Sequence, residues 1–145
     1  MSAPVLSRVV YELFPSDVEE IEKPGAELEH TIDREVRLEF SNGDMRFISW
    51  CSDPVQYSIA VQERSFFVAG SSAVTRDLSD HPLWRPLIGN VVNMVALDPE
   101  NQVLEVHSAA GSVYLSSHEG HWYADVVTVS ANRPKEIGID ASPVA

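Results

Sequence analysis

Hydrophobic and polar residues alternate along several short segments of the chain, a pattern typical of half-buried β-strands. Residues 34–40 (REVRLEF) place an apolar side chain at every second position. Asn42-Gly43 follows, a pair that accepts the positive φ angles of a tight hairpin turn. Alternation resumes at residues 45–50 and again within 56–68. These patterns predict a meander of three antiparallel strands in the first half of the chain.

The second half repeats this pattern. We predict strands over residues 90–97, 103–107, 112–116 and 121–130, separated by turns rich in Gly, Asp, Asn and Pro. The pseudo-repeat halves cover about 34–69 and 90–130.

Two short motifs correspond between the halves. Leu38-Glu39-Phe40 precedes Gly43, and Leu104-Glu105-Val106 precedes Gly111. Either the halves arose by duplication or two alternating hairpins resemble each other by chance. In both cases each meander has an apolar face to bury. We therefore predict a mainly β fold, in which two similar antiparallel meanders pack as a sandwich or a partly open barrel.

The segments outside the meanders are less regular. Residues 4–14 fit a strand or a short helix, with Val9 and Val10 favouring a strand. An irregular loop follows, with one short strand near 18–21. One short helix is predicted at about 79–88, between the meanders. The segment 131–145 contains Pro134, Gly138 and Pro143 and is expected to be a flexible tail.

Composition places the chain among ordinary folded proteins. It has 145 residues, of which 44% are hydrophobic and 22% charged. A single cysteine, Cys51, excludes an intramolecular disulfide and suits a reducing compartment. The first residues lack the features of a signal peptide, and no apolar run has the length of a membrane helix. We predict a single domain over 1–145, located in the cytoplasm and away from membranes.

Charge adds a functional indication. The net charge of -12 repels nucleic acid and attracts basic proteins. Residues 17–35 carry a net charge of -6 within 19 residues. Trp84 is expected in the core or, beside Arg85, as the aromatic anchor of an interface. The candidate partner-binding residues are Asp17, Glu19, Glu20, Glu22, Glu27, Glu29, Asp33 and Trp84.

Candidate catalytic and metal-binding groups have simpler interpretations. His107, His118 and His121 could approach one hairpin end, but His118-Glu119-Gly120-His121 differs from the helical H-E-x-x-H zinc motif. We interpret them as solvated turn histidines and Cys51 as a buried, inert thiol. Glu39 and Glu105 are expected on solvated outer faces. The sequence contains no phosphate-binding glycine motif. We predict no catalytic residue, no metal and no cofactor.

Two segments carry a resemblance to a known group of proteins. LEFSNGDMRFISW (38–50) and LWRPLIGNVVNMVALDPENQVLEV (83–106) resemble small bacterial proteins in which a W-x-x-L-I-G segment precedes a strand and a second hairpin follows. Some of these are encoded beside secreted toxins and look like immunity proteins. The resemblance covers 34–130 and rests on structural motifs. It implies a small, acidic, cytosolic and enzymatically inert protein whose carboxylates occlude a basic toxin site.

The leading hypothesis is a non-enzymatic protein-binding module, in its sharpest form an immunity-type protein that neutralises a basic toxin. A second hypothesis is a small-ligand-binding or enzymatic β-barrel with His107, Tyr114 or Tyr123 converging in an enclosed pocket. A third is a structural homodimer that pairs exposed strands.

Overall fold

A computed structural model describes residues 3–23, 29–32, 34–51, 58–67, 74–100, 102–120 and 124–133 of the chain. These residues form two five-stranded antiparallel sheets that face each other and are not closed into a barrel. The predicted mainly β fold is confirmed, with the sandwich as its architecture. No helix among the described residues has the length and apolar character needed to cross a bilayer.

Sheet A contains, in spatial order, β5 (Ser58–Gln62), β4 (Met45–Cys51), β3 (Glu35–Phe40), β1 (Leu6–Leu13) and β6 (Val74–Asp77). Sheet B contains β2 (Glu29–Ile32), β10 (Ala124–Ser130), β9 (Gly111–Gly120), β8 (Val103–Ser108) and β7 (Asn93–Ala96). The helix α1 (Val18–Glu22) lies between β1 and β2 in the chain. Each predicted meander supplies consecutive strands of one sheet, β3 to β5 in sheet A and β7 to β10 in sheet B.

Alternation along the strands builds the core between the two sheets. Val36 and Leu38 of β3, Ile48 of β4, and Val113 and Leu115 of β9 are all fully buried in one cluster. Their neighbours in sequence lie on the outer faces, as the period of two requires. Burial of this apolar surface is the main stabilising term for a chain without a disulfide.

The first hairpin has the turn that its sequence indicates. Gly43 adopts a φ of 91° and its N–H donates to the Phe40 carbonyl at 2.9 Å. A side chain is strained at this φ, so glycine suits the position. The turn sets the register in which Val36 lies opposite Ile48.

A hydrogen-bonded group of buried side chains joins the two sheets. Tyr11 extends inward from β1, and its hydroxyl lies 2.8 Å from Nδ1 of His30, which extends inward from β2. The indole Nε1–H of Trp84 donates to the same hydroxyl at 2.8 Å. Burial raises the pKa of the Tyr11 phenol, so its proton stays available to His30 Nδ1. One hydroxyl therefore links sheet A, sheet B and the segment that contains Trp84.

That segment, residues 78–92, runs from β6 to β7 across the sandwich. It packs Leu78, Leu83, Trp84 and Leu87 into the core. Its backbone also binds the start of β1, where the Leu6 N–H donates to the Asn90 carbonyl at 2.9 Å.

β5 and β6 are the opposite edges of sheet A, and residues 63–73 connect them in the chain. Residues 63–67 of this connection lie on the outer face, held by the fully buried carboxylate of Glu35. Ser65 Oγ donates to Glu35 Oε2 at 2.6 Å and the Phe66 N–H donates to Oε1 at 2.9 Å. The Phe67 ring lies 4.1 Å from the guanidinium carbon of Arg34. This part of the outer face of sheet A is therefore covered by the chain itself.

The short helix predicted at about 79–88 is present as a 3-10 helix that is shorter than predicted. The structure has turns over 79–84 and a 3-10 helix at Arg85–Leu87. Pro82 and Pro86 explain the difference, because each lacks an N–H and obstructs the turn before it.

The predicted strand at 18–21 is wrong, since these residues begin α1. Val18 and Ile21 pack on the core and are three residues apart, a spacing that brings side chains to one face of a helix.

Three further differences concern strands. The sequence pattern predicts neither β2 nor β6, and both are present in the structure. Among the described residues, the strand predicted within 56–68 covers Ser58–Gln62. Residues 6–13 form a strand, which resolves the alternative left open for the N-terminal segment. The predicted tail lies outside the described residues beyond 133.

Replacement of Tyr11 by Phe tests the bridge between the sheets. The variant keeps the ring but removes the hydroxyl that contacts Trp84 Nε1 and His30 Nδ1. We expect the free energy of unfolding to fall by about 1–3 kcal/mol, the usual cost of losing buried hydrogen bonds. Urea unfolding measures the loss. Tyr114→Phe, at a half-exposed position on β9, is the matched control and should change stability by less than about 0.5 kcal/mol. Equal losses in both variants would contradict the bridge.

Replacement of Glu35 by Ala tests the attachment of residues 63–67. The Phe66 N–H loses its acceptor, so we expect its amide hydrogen exchange to accelerate, with β3 and β4 remaining protected. Exchange measured by NMR reads this out. Glu63→Ala, with a side chain that is 78% exposed in the same segment, is the control. An unchanged Phe66 exchange rate in Glu35→Ala would show that the carboxylate does not hold the segment.

Candidate binding surface

The acidic segment 17–35, predicted to bind a partner, is spread over α1 and β2. Glu19 and Glu22 are exposed on α1, and Glu29 is exposed at the start of β2. The two elements are in contact, so these carboxylates lie on neighbouring parts of the surface. Glu22 Oε2 lies 3.0 Å from Arg76 Nε, which neutralises one of them. Glu27, Asp33 and the side chain of Glu20 lie outside the described part of the structure.

Two predicted partner-binding residues are buried, so their assignment to the surface is wrong. Asp17 is only 6% exposed where the chain enters α1, a position at which the helix dipole favours a carboxylate. Trp84 is fully buried, and Tyr11 satisfies its indole N–H within the core. The core interpretation of Trp84 is the correct one.

Sheet A balances its own charges. On its outer face Arg8 lies between Glu39 Oε1, at 3.3 Å, and Asp77 Oδ2, at 3.2 Å. Arg37 lies between Glu12 Oε2, at 2.9 Å, and Glu39 Oε2, at 3.0 Å. The other arginines in its strands also pair with carboxylates. This face therefore presents little net charge to a partner. Glu39 is on the outer face as predicted, but it is engaged in ion pairs.

The pKa of Asp77 reflects this pairing. Burial by itself raises the pKa, but hydrogen bonds from Ser79 and from Arg8 outweigh burial and hold the pKa below its usual value. The ion pair at the edge of sheet A is thus kept at all but strongly acidic pH.

Sheet B has the opposite character. None of its five strands contains Lys or Arg, and the charged residues in them are Glu29, Glu105, Glu119 and Asp125. The whole run of residues 86–132 contains five acidic residues and neither Lys nor Arg. The lack of Lys and Arg in this run is visible in the sequence. It is easily overlooked, because the acidic residues of the run are widely spaced and do not form a dense cluster. The negative charge of the protein is therefore concentrated around sheet B as well as in residues 17–35.

β7 forms one edge of sheet B. It pairs with β8, and no described strand pairs with its other side. The Leu97 N–H donates to the Val103 carbonyl at 2.9 Å. In an antiparallel pair, the backbone N–H and C=O groups of every second residue point to the partner strand. The backbone groups of Asn93 and Val95, four and two positions before Leu97, therefore also point toward β8. The N–H and C=O groups of Met94 and Ala96 therefore point away from the sheet.

An apolar groove lies beside this edge, between β7 and β5. Its volume is about 300 Å³, and it is lined by Ile59, Val61, Met94, Ala96, Val103 and Leu104. A smaller cavity of about 120 Å³ also includes Met94 and is lined by Pro4, Phe40, Asp44 and Arg46. Val61, a groove residue on β5, remains 36% exposed. The two cavities meet at Met94 and are hereafter called together the β5–β7 groove, which leaves apolar surface open to solvent.

Acidic residues lie near both ends of the β5–β7 groove. Exposed Asp44 lines the Met94 end, together with Arg46. At the other end exposed Glu100 follows β7, and its backbone carbonyl accepts a hydrogen bond from Ser58 Oγ at 2.7 Å. Glu63, beyond β5, lies 3.8 Å from Arg46 and offsets its charge. The groove thus combines an apolar floor with acidic residues near its ends.

A Ser-His-Glu group lies on the outer face of sheet B, near β7. Ser112 Oγ donates to Glu105 Oε2 at 2.6 Å, and His107 Nδ1 lies 2.8 Å from Ser112 Oγ and 3.3 Å from Glu105 Oε2. Because the serine proton is given to the carboxylate, Nδ1 must be the donor toward Ser112. A catalytic triad requires the histidine to accept the serine proton at one nitrogen and bind the acid at the other. In this group both the serine and the carboxylate face the same histidine nitrogen, so the geometry is not that of a catalytic triad. Glu105 lies on an outer face, as predicted.

The remaining candidates do not form a site among the described residues. No group of three or more His, Cys, Asp or Glu side chains in those residues could hold a metal ion. His121 and the side chain of His118 lie outside the described part, as does Tyr123. Cys51 is half-buried on β4, so it is less buried than predicted. The barrel with His107 and Tyr114 turned inward is wrong, because both lie on the outer face of an open sheet.

The chain matches no protein-family model, no curated protein and no solved structure.

Proposed function

We propose that this chain is a non-enzymatic binding protein whose partner is a basic protein. The observation that carries the proposal is the unequal distribution of charge between the two sheets. The strand arginines of sheet A are ion-paired, whereas the strands of sheet B contain acidic residues and neither Lys nor Arg. Such an asymmetric field orients and accelerates the approach of a cationic partner.

The sharpest version of this proposal is an immunity-type protein that neutralises a basic toxin. Carboxylates of α1, β2 and the β7–β8 turn would meet Lys and Arg side chains around the toxin's active site. The net charge of -12 favours this role. The resemblance of residues 34–130 to small immunity-type proteins agrees with a role in neutralising a toxin.

A protein partner is favoured over a small ligand by the form of the described cavities. The β5–β7 groove is open along its length and lined mostly by aliphatic side chains. Small-molecule sites usually enclose most of the ligand and offer converging polar groups. An open apolar groove with acidic residues near its ends suits a chain segment of a larger molecule.

Association kinetics test the proposal. A pull-down at low ionic strength identifies the partner, and stopped-flow mixing with the purified partner then gives the association rate constant. We expect a basic protein whose association slows steeply as salt rises, because screening removes the long-range attraction. Glu29→Lys, on β2, should slow association about three- to ten-fold at low salt.

Asp80→Lys is the matched control, because it changes the net charge equally at an exposed position in the segment that follows β6. It should slow association less than Glu29→Lys. A partner that is acidic, or an association rate that does not change with ionic strength, would refute the proposal.

A further inference from the structure

We propose that the β5–β7 groove binds an extended segment of the basic partner, which adds to sheet B as a strand alongside β7. This inference rests on the proposed function and specifies how the partner is held. Three features of the groove bear on it: the backbone groups of β7, the apolar side chains that line the groove, and the charges around it. Each of them suits an extended, basic segment.

The backbone of β7 supplies the first argument. The outward N–H and C=O groups of Met94 and Ala96 are spaced as one side of an antiparallel or parallel ladder. An extended segment placed beside β7 can satisfy these groups without any change in the pairing of β7 with β8. Peptide recognition by strand addition uses main-chain hydrogen bonds of this kind for affinity.

The side chains supply the second argument. In an added strand, alternate side chains point to the inner face of sheet B. At this edge the inner face opens on the β5–β7 groove, where Ile59 and Val61 of β5 lie opposite Met94 and Ala96 of β7. Apolar side chains at every second position of the segment would fill the groove and bury these residues. The intervening side chains would point toward solvent.

Charge supplies the third argument and identifies the occupant. Asp44 lines one end of the groove beside Arg46, whose charge Glu63 offsets at 3.8 Å, and the backbone of exposed Glu100 lies near the other end. Sheet B offers no Lys or Arg in any strand. A segment with Lys or Arg between and beyond its apolar residues complements this surface. A second copy of the chain would bring a net charge of -12 and the same carboxylates, so it is repelled where a basic segment is attracted.

A synthetic peptide tests the inference without knowledge of the partner. The probe is a capped peptide of about eight residues in which Val and Lys alternate, long enough for a typical strand. Its controls are a peptide in which Glu replaces Lys and one in which the same Val and Lys residues are grouped in two blocks. We expect the alternating Val-Lys peptide to bind at least ten-fold more tightly than either control by fluorescence anisotropy.

Ala96→Pro tests the hydrogen bonds to β7. Proline removes the outward N–H of this exposed position but leaves the ladder to β8, because proline is tolerated at the solvent side of an edge strand. Ala96→Val, which keeps the N–H and suits a strand, is the matched control. We expect Ala96→Pro to weaken peptide binding about ten-fold or more and Ala96→Val to weaken it less. Thermal unfolding of both variants checks that each is folded.

Amide exchange in the unmodified protein gives a second measurement that no folding defect can confuse. Peptide binding should slow the exchange of the Met94 and Ala96 amides, whereas the Asn93 and Val95 amides, already bonded to β8, should change little. Protection of alternate residues is specific to strand addition. Uniform protection of residues 93–96, or none, would overturn it.

The outcomes separate the inference from the proposed function. If no peptide binds but the natural partner still associates in a salt-dependent manner that Glu29→Lys slows, strand addition is overturned and the proposed function stands. If the Glu peptide binds as well as the Lys peptide, the basic occupant is overturned together with the proposed function. Sedimentation that shows a dimer, lost in Ala96→Pro, would assign the edge to a second copy and overturn the inference.

Discussion

The hydrogen bonds at the Tyr11 hydroxyl join three parts of this molecule that are far apart in the chain. Tyr11 belongs to β1 of sheet A, His30 to β2 of sheet B, and Trp84 to the segment that crosses from β6 to β7. These contacts are buried, where an unmade hydrogen bond is costly. They fix the sheets to each other on the β1–β2 side of the sandwich. On the other side β5 and β7 face each other across an apolar groove. The β5–β7 groove thus lies at the opposite edge of the sandwich from the hydrogen bonds of Tyr11.

The distribution of charge follows the same division between the sheets. The strand arginines of sheet A pair with carboxylates. Residues 63–67 also cover part of its outer face. Sheet B has no strand cation with which to pair its acids. Negative charge and open apolar surface therefore meet near β7, and a basic partner with an extended segment would use both. Long-range attraction would set the rate of encounter, and the groove would determine how long the complex lasts.

Local patterns in the sequence predict some elements accurately and miss others for identifiable reasons. β3, β4 and their turn could be predicted because alternation and Asn42-Gly43 are both contained in a short stretch. β2 and β6 have four residues each, and their pairing partners lie far away in the chain, so no local signal marks them. The burial of Trp84 depends on Tyr11, a contact between residues 73 positions apart. The edge position of β7 likewise follows from strand order, which the sequence does not display.

The position of β1 between β3 and β6 in sheet A has a consequence for synthesis on the ribosome. β1 pairs with β3 and with β6, so its second neighbour is made only when residues 74–77 have emerged. β2 waits longer still, because its partner β10 comprises residues 124–130. Strand pairing over such distances is slow, because the entropy cost of closing the loop comes before any stabilising contact forms. Sheet B can therefore be completed only when almost all of the described chain has been translated, and β2, with the inward side chains of His30 and Ile32, lacks its strand partner until then.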